Sequence, residues 1–350
     1  MKVIVLYEEL SGYFLACINC FAEKYNADVY IFRKEVNAEA PFQLFSYSRI
    51  HFFYQSEFSE RKLSEKIKEI GPDAIICGGW STKMYMNVCR KYRSKIPVVL
   101  GFDNKWNNSL RQNIASILSS FTIQRAFTYC WVPGIKQKVF AKKLGFDEDH
   151  IFLNAYSADF NFFNRLCLSI KESKKISFPH RFIFTGRYFD FKGIRDLWKA
   201  FIELQNENPN DWELWCLGAG DIESVVHPKI KHFGFIQPDR IETFITETGV
   251  FVLPSTFEPW GVAVHEFAAA GFPLICSDEV GAAELFLKEG ENGFLFEAGN
   301  VSGLKKVLRK IMSTPDPQLV VMGEKSAELA RQITPDKWSE TLMSVITKSK

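Results

Sequence analysis

Short apolar runs alternating with longer amphipathic segments, twice over in one chain, constrain this sequence more than any other feature. In the first half KVIVLY is followed by a helical pattern from about Gly12 to Tyr25 and then by DVYIF. DAIICGG, a further helix and PVVLGF repeat the unit; CWVPG, a helix to Leu144 and HIFLNAY close it. Buried strands linked by helix-length segments imply a parallel sheet covered by helices on both faces. The alternation lapses in RLCLSIKESKKISFP, Arg165 to Pro179, which is lysine-rich and ends in proline, and so reads as a linker. It then restarts with RFIFTGR, a helix from about Gly193 to Asn206, WELWCLGAG, GVFVLPS, a helix through Ala270, PLICSD and GFLFEAG.

The chain is therefore expected to be α/β, with two doubly wound, Rossmann-like domains facing across a cleft. Residues 1–164 form the first, 165–180 the linker and 181–330 the second. PDKWSETLMSVITK, within 331–350, reads as a final helix returning toward the first domain. In such sheets ligands sit outside the carboxyl ends of the strands, where the strand order reverses.

Composition narrows the classes. With 47% hydrophobic and 24% charged residues the chain reads as a soluble globular protein, and no stretch approaches the roughly 18 apolar residues of a membrane span. MKVIVLY lacks a basic lead and runs straight into Glu8 and Glu9, so it reads as a strand rather than a signal, and the expected location is the cytoplasm. Eight scattered cysteines show no disulfide framework, and the CxxC of Cys17 and Cys20 lacks partners for zinc. From Lys83 to Lys143 there are twelve basic residues and one acid, Asp103. That excess suits an anionic partner, here expected to be an anionic membrane surface on the inner face of the cell membrane rather than nucleic acid; the competing reading is a solvated basic face.

The chemistry concentrates in FEPWGVAVHE. Glu258 and Glu266 stand eight apart across a strand-to-helix crossing, one in the loop and one about a turn into the helix. They are an acid/base pair, two holders of one ligand, or a chance spacing. Gly261 removes a side chain where the free N–H groups of the helix point outward, a seat for phosphate or sugar oxygens. Ionised carboxylates beside that seat accept hydrogen bonds from sugar or ribose hydroxyls. His265 points about 100° from Glu266 on a helix and is read as packing or surface. Asp147-Glu148-Asp149 is literally D-x-D but follows KKLGF in an expected exposed loop, and no cluster has metal-ligand spacing.

The run from Pro254 to Asn300 resembles the donor-binding region of retaining glycosyltransferases of the GT4 type, which have the GT-B fold. The matching positions are Pro254, Ser255, Glu258, Gly261, Glu266, Ala270, Gly271, Pro273, Ser277, Asp278, Gly281, Glu284, Asn292 and Gly293. FIFTGRYFDFKG supplies the family's Arg and Lys as Arg187 and Lys192. The resemblance implies that Glu266 holds the nucleotide ribose, Glu258 the hydroxyls of the donor sugar, and Arg187 and Lys192 the diphosphate. The backbone of Trp260, Gly261 and Val262 would line the sugar pocket.

No metal or cofactor is implied; the partners are a nucleotide sugar and a glycan or lipid-linked acceptor, in bacterial polysaccharide or lipopolysaccharide assembly. In the first half Gly12 stands for the family's glycine pair. Asp103 stands where many relatives have histidine, either as a catalytic or sugar-contacting acid or as a cap. Glu8, Glu9 and Trp80 are candidates for the acceptor, against solvated charges and a packing tryptophan. A glycoside hydrolase using both glutamates, or a non-catalytic nucleotide-sugar or lipid-binding protein, are the alternatives.

Overall fold

The computed structural model describes residues 1–35 and 47–348. The chain divides into two compact units: residues 1–157 with 333–350, and residues 158–332.

The first unit is built on seven parallel strands: β1 (Lys2–Leu6), β2 (Asp28–Arg33), β3 (Ile50–Tyr54), β4 (Ala74–Gly78), β5 (Val98–Gly101), β6 (Tyr129–Trp131) and β7 (Ile151–Phe152). Their spatial order is β3-β2-β1-β4-β5-β6-β7. Its helices are α1 (Gly12–Lys24), α2 (Glu60–Ile70), α3 (Lys83–Tyr92), α4 (Leu110–Leu118), α5 (Ile135–Lys143) and, from the end of the chain, α13 (Pro335–Lys348).

Strand β1 shows why both faces must be covered. Successive strand side chains alternate: Val3 and Val5 enter one core, with Phe14, Ile18 and Phe21 of α1 and Trp338, Leu342 and Val345 of α13. Ile4 and Leu6 enter the other, with Leu63, Ile67, Met86 and Phe140. The final helix is fixed in this unit by the Trp338 indole, which donates to the Ala155 carbonyl at 2.8 Å, and by Lys24, paired with Asp336 at 2.6 Å and Glu340 at 3.0 Å.

The second unit has six parallel strands, β8 (Arg181–Thr185), β9 (Glu213–Leu217), β10 (Ile230–His232), β11 (Val250–Leu253), β12 (Leu274–Ser277) and β13 (Gly293–Phe296), in the order β10-β9-β8-β11-β12-β13. Its helices are α6 (Phe160–Ile176), α7 (Ile194–Glu207), α8 (Ile241–Glu247), α9 (Val262–Ala269), α10 (Ala283–Phe286), α11 (Val301–Met312) and α12 (Asp316–Ala330). Strand order reverses between β1 and β4 in the first sheet and between β8 and β11 in the second. These are the switch points where such sheets hold ligands.

One expectation is corrected. The segment 165–180 lies largely in α6, a helix of 17 residues capped by Asp159, whose Oδ1 accepts from Phe162 N at 3.2 Å. Phe160, Phe163, Leu166 and Ile170 recur at helical spacing and are buried. Lys171, Lys174 and Lys175 gave the stretch its linker-like composition, although Lys174 is itself buried against the Phe272 ring. The break between units falls instead between Ser157 and Ala158, ahead of that helix, and the return falls after Gln332.

Candidate functional site

The second sheet's switch point is assembled by glycines. Strand β8 runs out through Gly186, whose N–H donates to Leu217 O at 3.0 Å, while Tyr188 N donates to Ala219 O at 2.9 Å. The β9 turn lies directly on this loop: a Cβ at Gly218 would stand 1.9 Å from Gly186 O. The LGAG turn thus fixes the segment that carries Arg187, whose guanidinium lies 4.9 Å from the Phe189 ring centroid.

A 3₁₀ turn over Asp190–Lys192 follows and ends at Gly193, with φ of 68°. A Cβ there would stand 2.1 Å from Pro254 O, so only glycine lets the start of α7 approach the end of β11 this closely. Phe191 O accepts from Thr256 N at 2.8 Å, tying the two loops together.

That approach brings Lys192 to Glu258. Lys192 Nζ donates to Glu258 Oε2, and the two side chains are only 18% and 11% exposed. Ser255 Oγ donates to the same oxygen at 3.3 Å. The loop is latched from below by Gly281 N to Glu258 O at 3.1 Å and Ala282 N to Trp260 O at 2.8 Å. Trp260 is buried by its side chain, with its backbone in the loop. Gly261, at φ of 89°, precedes Val262, the first residue of α9, and a Cβ on it would stand 2.9 Å from Glu258 Cγ. The missing side chain is what lets Glu258 fold back beneath the open end of the helix.

Glu266 is half-buried on α9. Burial, reinforced by the negative field of Asp159, pushes its carboxyl up to about 7. Among the described residues no donor reaches that carboxyl, unlike Glu258. The two glutamates therefore differ in environment: one is held by a cation and a hydroxyl, the other kept partly dry and unpartnered. His265, between them in sequence, is buried with Nδ1 accepting from Ala158 N at 3.0 Å and Nε2 directed at Ala330 O, 2.9 Å away. Its ring stacks on Phe286 at 4.2 Å. It is a packing residue.

The first unit rearranges the remaining candidates. Gly12 is the first residue of α1, after Ser11. Glu8 is occupied: it accepts from Lys34 at 2.6 Å, Ser81 Oγ at 3.1 Å and Thr82 Oγ1, and so pins the end of β1 to the start of α3. Burial of Glu8 is outweighed by these donors, and its carboxyl falls below the usual range. Glu9 is exposed. Trp80 is half-buried and packs edge-on against Phe102 at 5.3 Å and Phe140 at 6.0 Å, at the margin of the core.

Asp103 is half-buried near Tyr7 and Tyr156, whose hydroxyls share a hydrogen bond. Burial, with the Asp103 charge adding to it, pushes the Tyr7 phenol up to about 12. These tyrosines follow β1 and β7, and only the fold brings them to a residue after β5. Asp147 and Asp149 do meet His150, with one ligand atom from each within 4.8 Å of the others, although their spacing gave no such sign; both acids are exposed.

Residues 179–314 match the family described as Glycosyl transferases group 1. A lipopolysaccharide core biosynthesis glycosyltransferase of Rhizobium meliloti is 27% identical over 137 residues, covering 37% of this chain and 38% of that protein. A lipopolysaccharide 1,6-galactosyltransferase of Salmonella typhimurium is 22% identical over 264 residues, covering 71% and 68%. The match to the first of these relatives thus spans about two fifths of its length. The crystal structure of Anabaena HepE in complex with UDP and glucose superposes with a TM-score of 0.72 at 15% identity, covering 99% of this chain and 100% of that one. At that identity the likeness shows the fold, which is GT-B.

Proposed function

We propose, for a GT-B chain whose second unit carries the group 1 glycosyl transferase match, that it moves a sugar from a nucleotide sugar to a hydroxyl of a glycan or lipid-linked glycan. The names of its relatives support polysaccharide or lipopolysaccharide assembly as the setting, and the proposed location is the cytoplasmic face of a membrane. The observation that carries the reading is the Lys192–Glu258 pair beneath the glycine-opened start of α9, with Arg187 at the neighbouring strand end and Glu266 on the helix, reached by no donor among the described residues.

In this reading Arg187 and Lys192 grip the diphosphate. As the bond to the sugar breaks, negative charge builds on the leaving phosphate; an Arg fork and a Lys point charge out of water oppose it without a metal or cofactor. Lys192 then exchanges part of its contact with Glu258 for phosphate, which leaves Glu258 to accept from the sugar hydroxyls. Glu266 takes the ribose: a carboxyl near neutrality in its titration both accepts from and donates to hydroxyls. Retention follows if the leaving phosphate, on the acceptor's side of the ring, takes the proton as the new bond forms. Asp103, beside its tyrosines, is the proposed catalytic acid of the first unit. A hydrolase would leave Arg187 and Lys192 without a task.

The UDP held by HepE makes UDP-sugars the first donors to try. With a lipid-linked oligosaccharide fraction as acceptor, free nucleotide should appear only when donor and acceptor are both present. Release of sugar from a glycan without any nucleotide sugar would make the chain a hydrolase and overturn the proposal.

A further inference from the structure

Helix α4 is built inside out. Leu110, Ile114, Ile117 and Leu118 fall within an arc of ~100° when each residue advances about 100°. Phe121 continues the stripe just beyond the helix. These five side chains are 77%, 48%, 75%, 48% and 65% exposed, and no residue of the nine-residue helix is buried. The side turned to the core is small or polar instead: Ala115 packs on it, and Ser119, next after the helix, is buried with Oγ donating to Leu144 O at 2.6 Å. A surface helix ordinarily buries its apolar stripe. Here the stripe is rigidly presented, because Ser109 Oγ caps Gln112 N at 3.4 Å while the Gln112 amide binds Lys105 O and Asn107 N, each at 2.8 Å.

Basic residues border the stripe. Arg111 is exposed on α4, and the Arg125 guanidinium lies 5.6 Å from the Phe121 ring centroid. Elsewhere in the basic stretch the charge is partly spent, with Lys138 and Lys142 both on Glu148 and Arg93 donating to Phe127 O at 3.2 Å. The basic excess of the sequence is thus not one uniform patch. What distinguishes the α4 region is exposed apolar surface with cations at its edge and no acid between Asn104 and Lys143.

We infer that α4 is a membrane-docking element that lies in the interface of an anionic bilayer, with Leu110, Ile114, Ile117, Leu118 and Phe121 among the acyl chains and Arg111 and Arg125 at the headgroups. At ~1.5 Å per residue the helix is far too short to span a bilayer and suits the interfacial plane. A second copy of the chain is a poorer occupant: a symmetric pair would bring two basic edges together with no acid between Asn104 and Lys143 to meet them, whereas anionic lipid neutralises them. Through Gln112 the docked helix is tied to Lys105 and Asn107, in the loop that follows β5 and carries Asp103. The inference concerns binding alone and stands apart from the transfer reaction.

Vesicle flotation of the full chain tests it. Binding to equimolar phosphatidylcholine and phosphatidylglycerol should exceed binding to phosphatidylcholine alone by at least ~10-fold. Leu110→Asp with Ile117→Asp should reduce it at least ~10-fold, with circular dichroism and melting unchanged because both side chains are exposed. Arg111→Glu, which leaves the apolar stripe intact, should reduce it several-fold and remove most of its salt dependence. The inference is overturned if the Asp variants bind as well as the parent. It is equally overturned if the parent ignores anionic vesicles, including the case in which it forms a dimer that Ile117→Asp breaks.

Discussion

Replacing Glu266 by glutamine gives a pH signature that can be worked out in advance. The carboxyl titrates at about 7 in the folded chain against an ordinary 4.5, because burial and the Asp159 field both disfavour its charge. Below about 4.5 the group is protonated in folded and unfolded chains alike and has no differential effect. Between about 4.5 and 7 the unfolded chain ionises first, so it binds fewer protons than the folded one, and stability falls as pH rises. Above 7 the loss is complete. At 1.36 kcal/mol per pH unit it reaches up to about 3 kcal/mol, less whatever the remaining water contact of this half-buried side chain recovers.

Glu266→Gln, uncharged and nearly the same shape, removes that loss. Urea unfolding of both chains from pH 4 to pH 8 should show the variant gaining on the parent by about 2–3 kcal/mol across the interval, with little difference at the acid end. The gain should come with weaker nucleotide-sugar binding, since a residue kept dry and unpartnered for a ligand lowers stability. A stability difference that stays flat with pH would refute the assignment of the raised titration to Glu266.

Glu258→Ala strands Lys192 in a largely dry site and should cost about 3 kcal/mol. In a double-mutant cycle with Lys192→Met, the pair should cost clearly less than the sum of the singles, and strict additivity would show that the two side chains do not depend on each other. Gly193→Ala forces a positive φ on a residue with a Cβ, at about 1–2 kcal/mol, and pushes that atom against Pro254 O. It should therefore weaken donor binding as well as stability, measured by titration and melting, whereas unchanged affinity would mean that the 3₁₀ turn does not place Lys192. His265→Phe keeps the stack on Phe286 but removes the hydrogen bonds to Ala158 N–H and Ala330 C=O. A loss of about 2–4 kcal/mol in urea unfolding is expected, and a large change in donor affinity would contradict its role as a packing residue.

The fold was legible because period and length survive without tertiary knowledge: VFVL and LICS can only be buried strands at that spacing. The loops at the second unit's switch point were legible because close backbone approach demands glycine, so Gly193, Gly218, Gly261 and Gly281 leave marks in the sequence that side-chain contacts do not. The helix α6 was hidden because Lys171, Lys174 and Lys175 outweighed the Phe160, Phe163, Leu166 and Ile170 spacing, and a buried lysine such as Lys174 cannot be told from a solvated one in the sequence. The surroundings of Asp103 were invisible for a different reason. Tyr7 and Tyr156 lie far from it along the chain, and only the strand order brings them close. Ser255 stood in the motif, but its hydrogen bond to Glu258 depends on how the loop folds back. Trp80 after a Gly-Gly pair left a sugar-stacking and a packing reading both open, and its contacts with Phe102 and Phe140 could not be read from one strand.

The central claim is that the second unit's switch point is one clamp for one nucleotide sugar. Isothermal titration calorimetry with UDP, GDP, ADP and their sugars tests it most directly. One nucleotide family should bind, with the sugar nucleotide tighter than the bare diphosphate, and both Arg187→Ala and Glu266→Ala should weaken it at least ~10-fold, or about 1.4 kcal/mol. If no nucleotide binds, or if both variants bind as tightly as the parent, these residues do not form a nucleotide-sugar site.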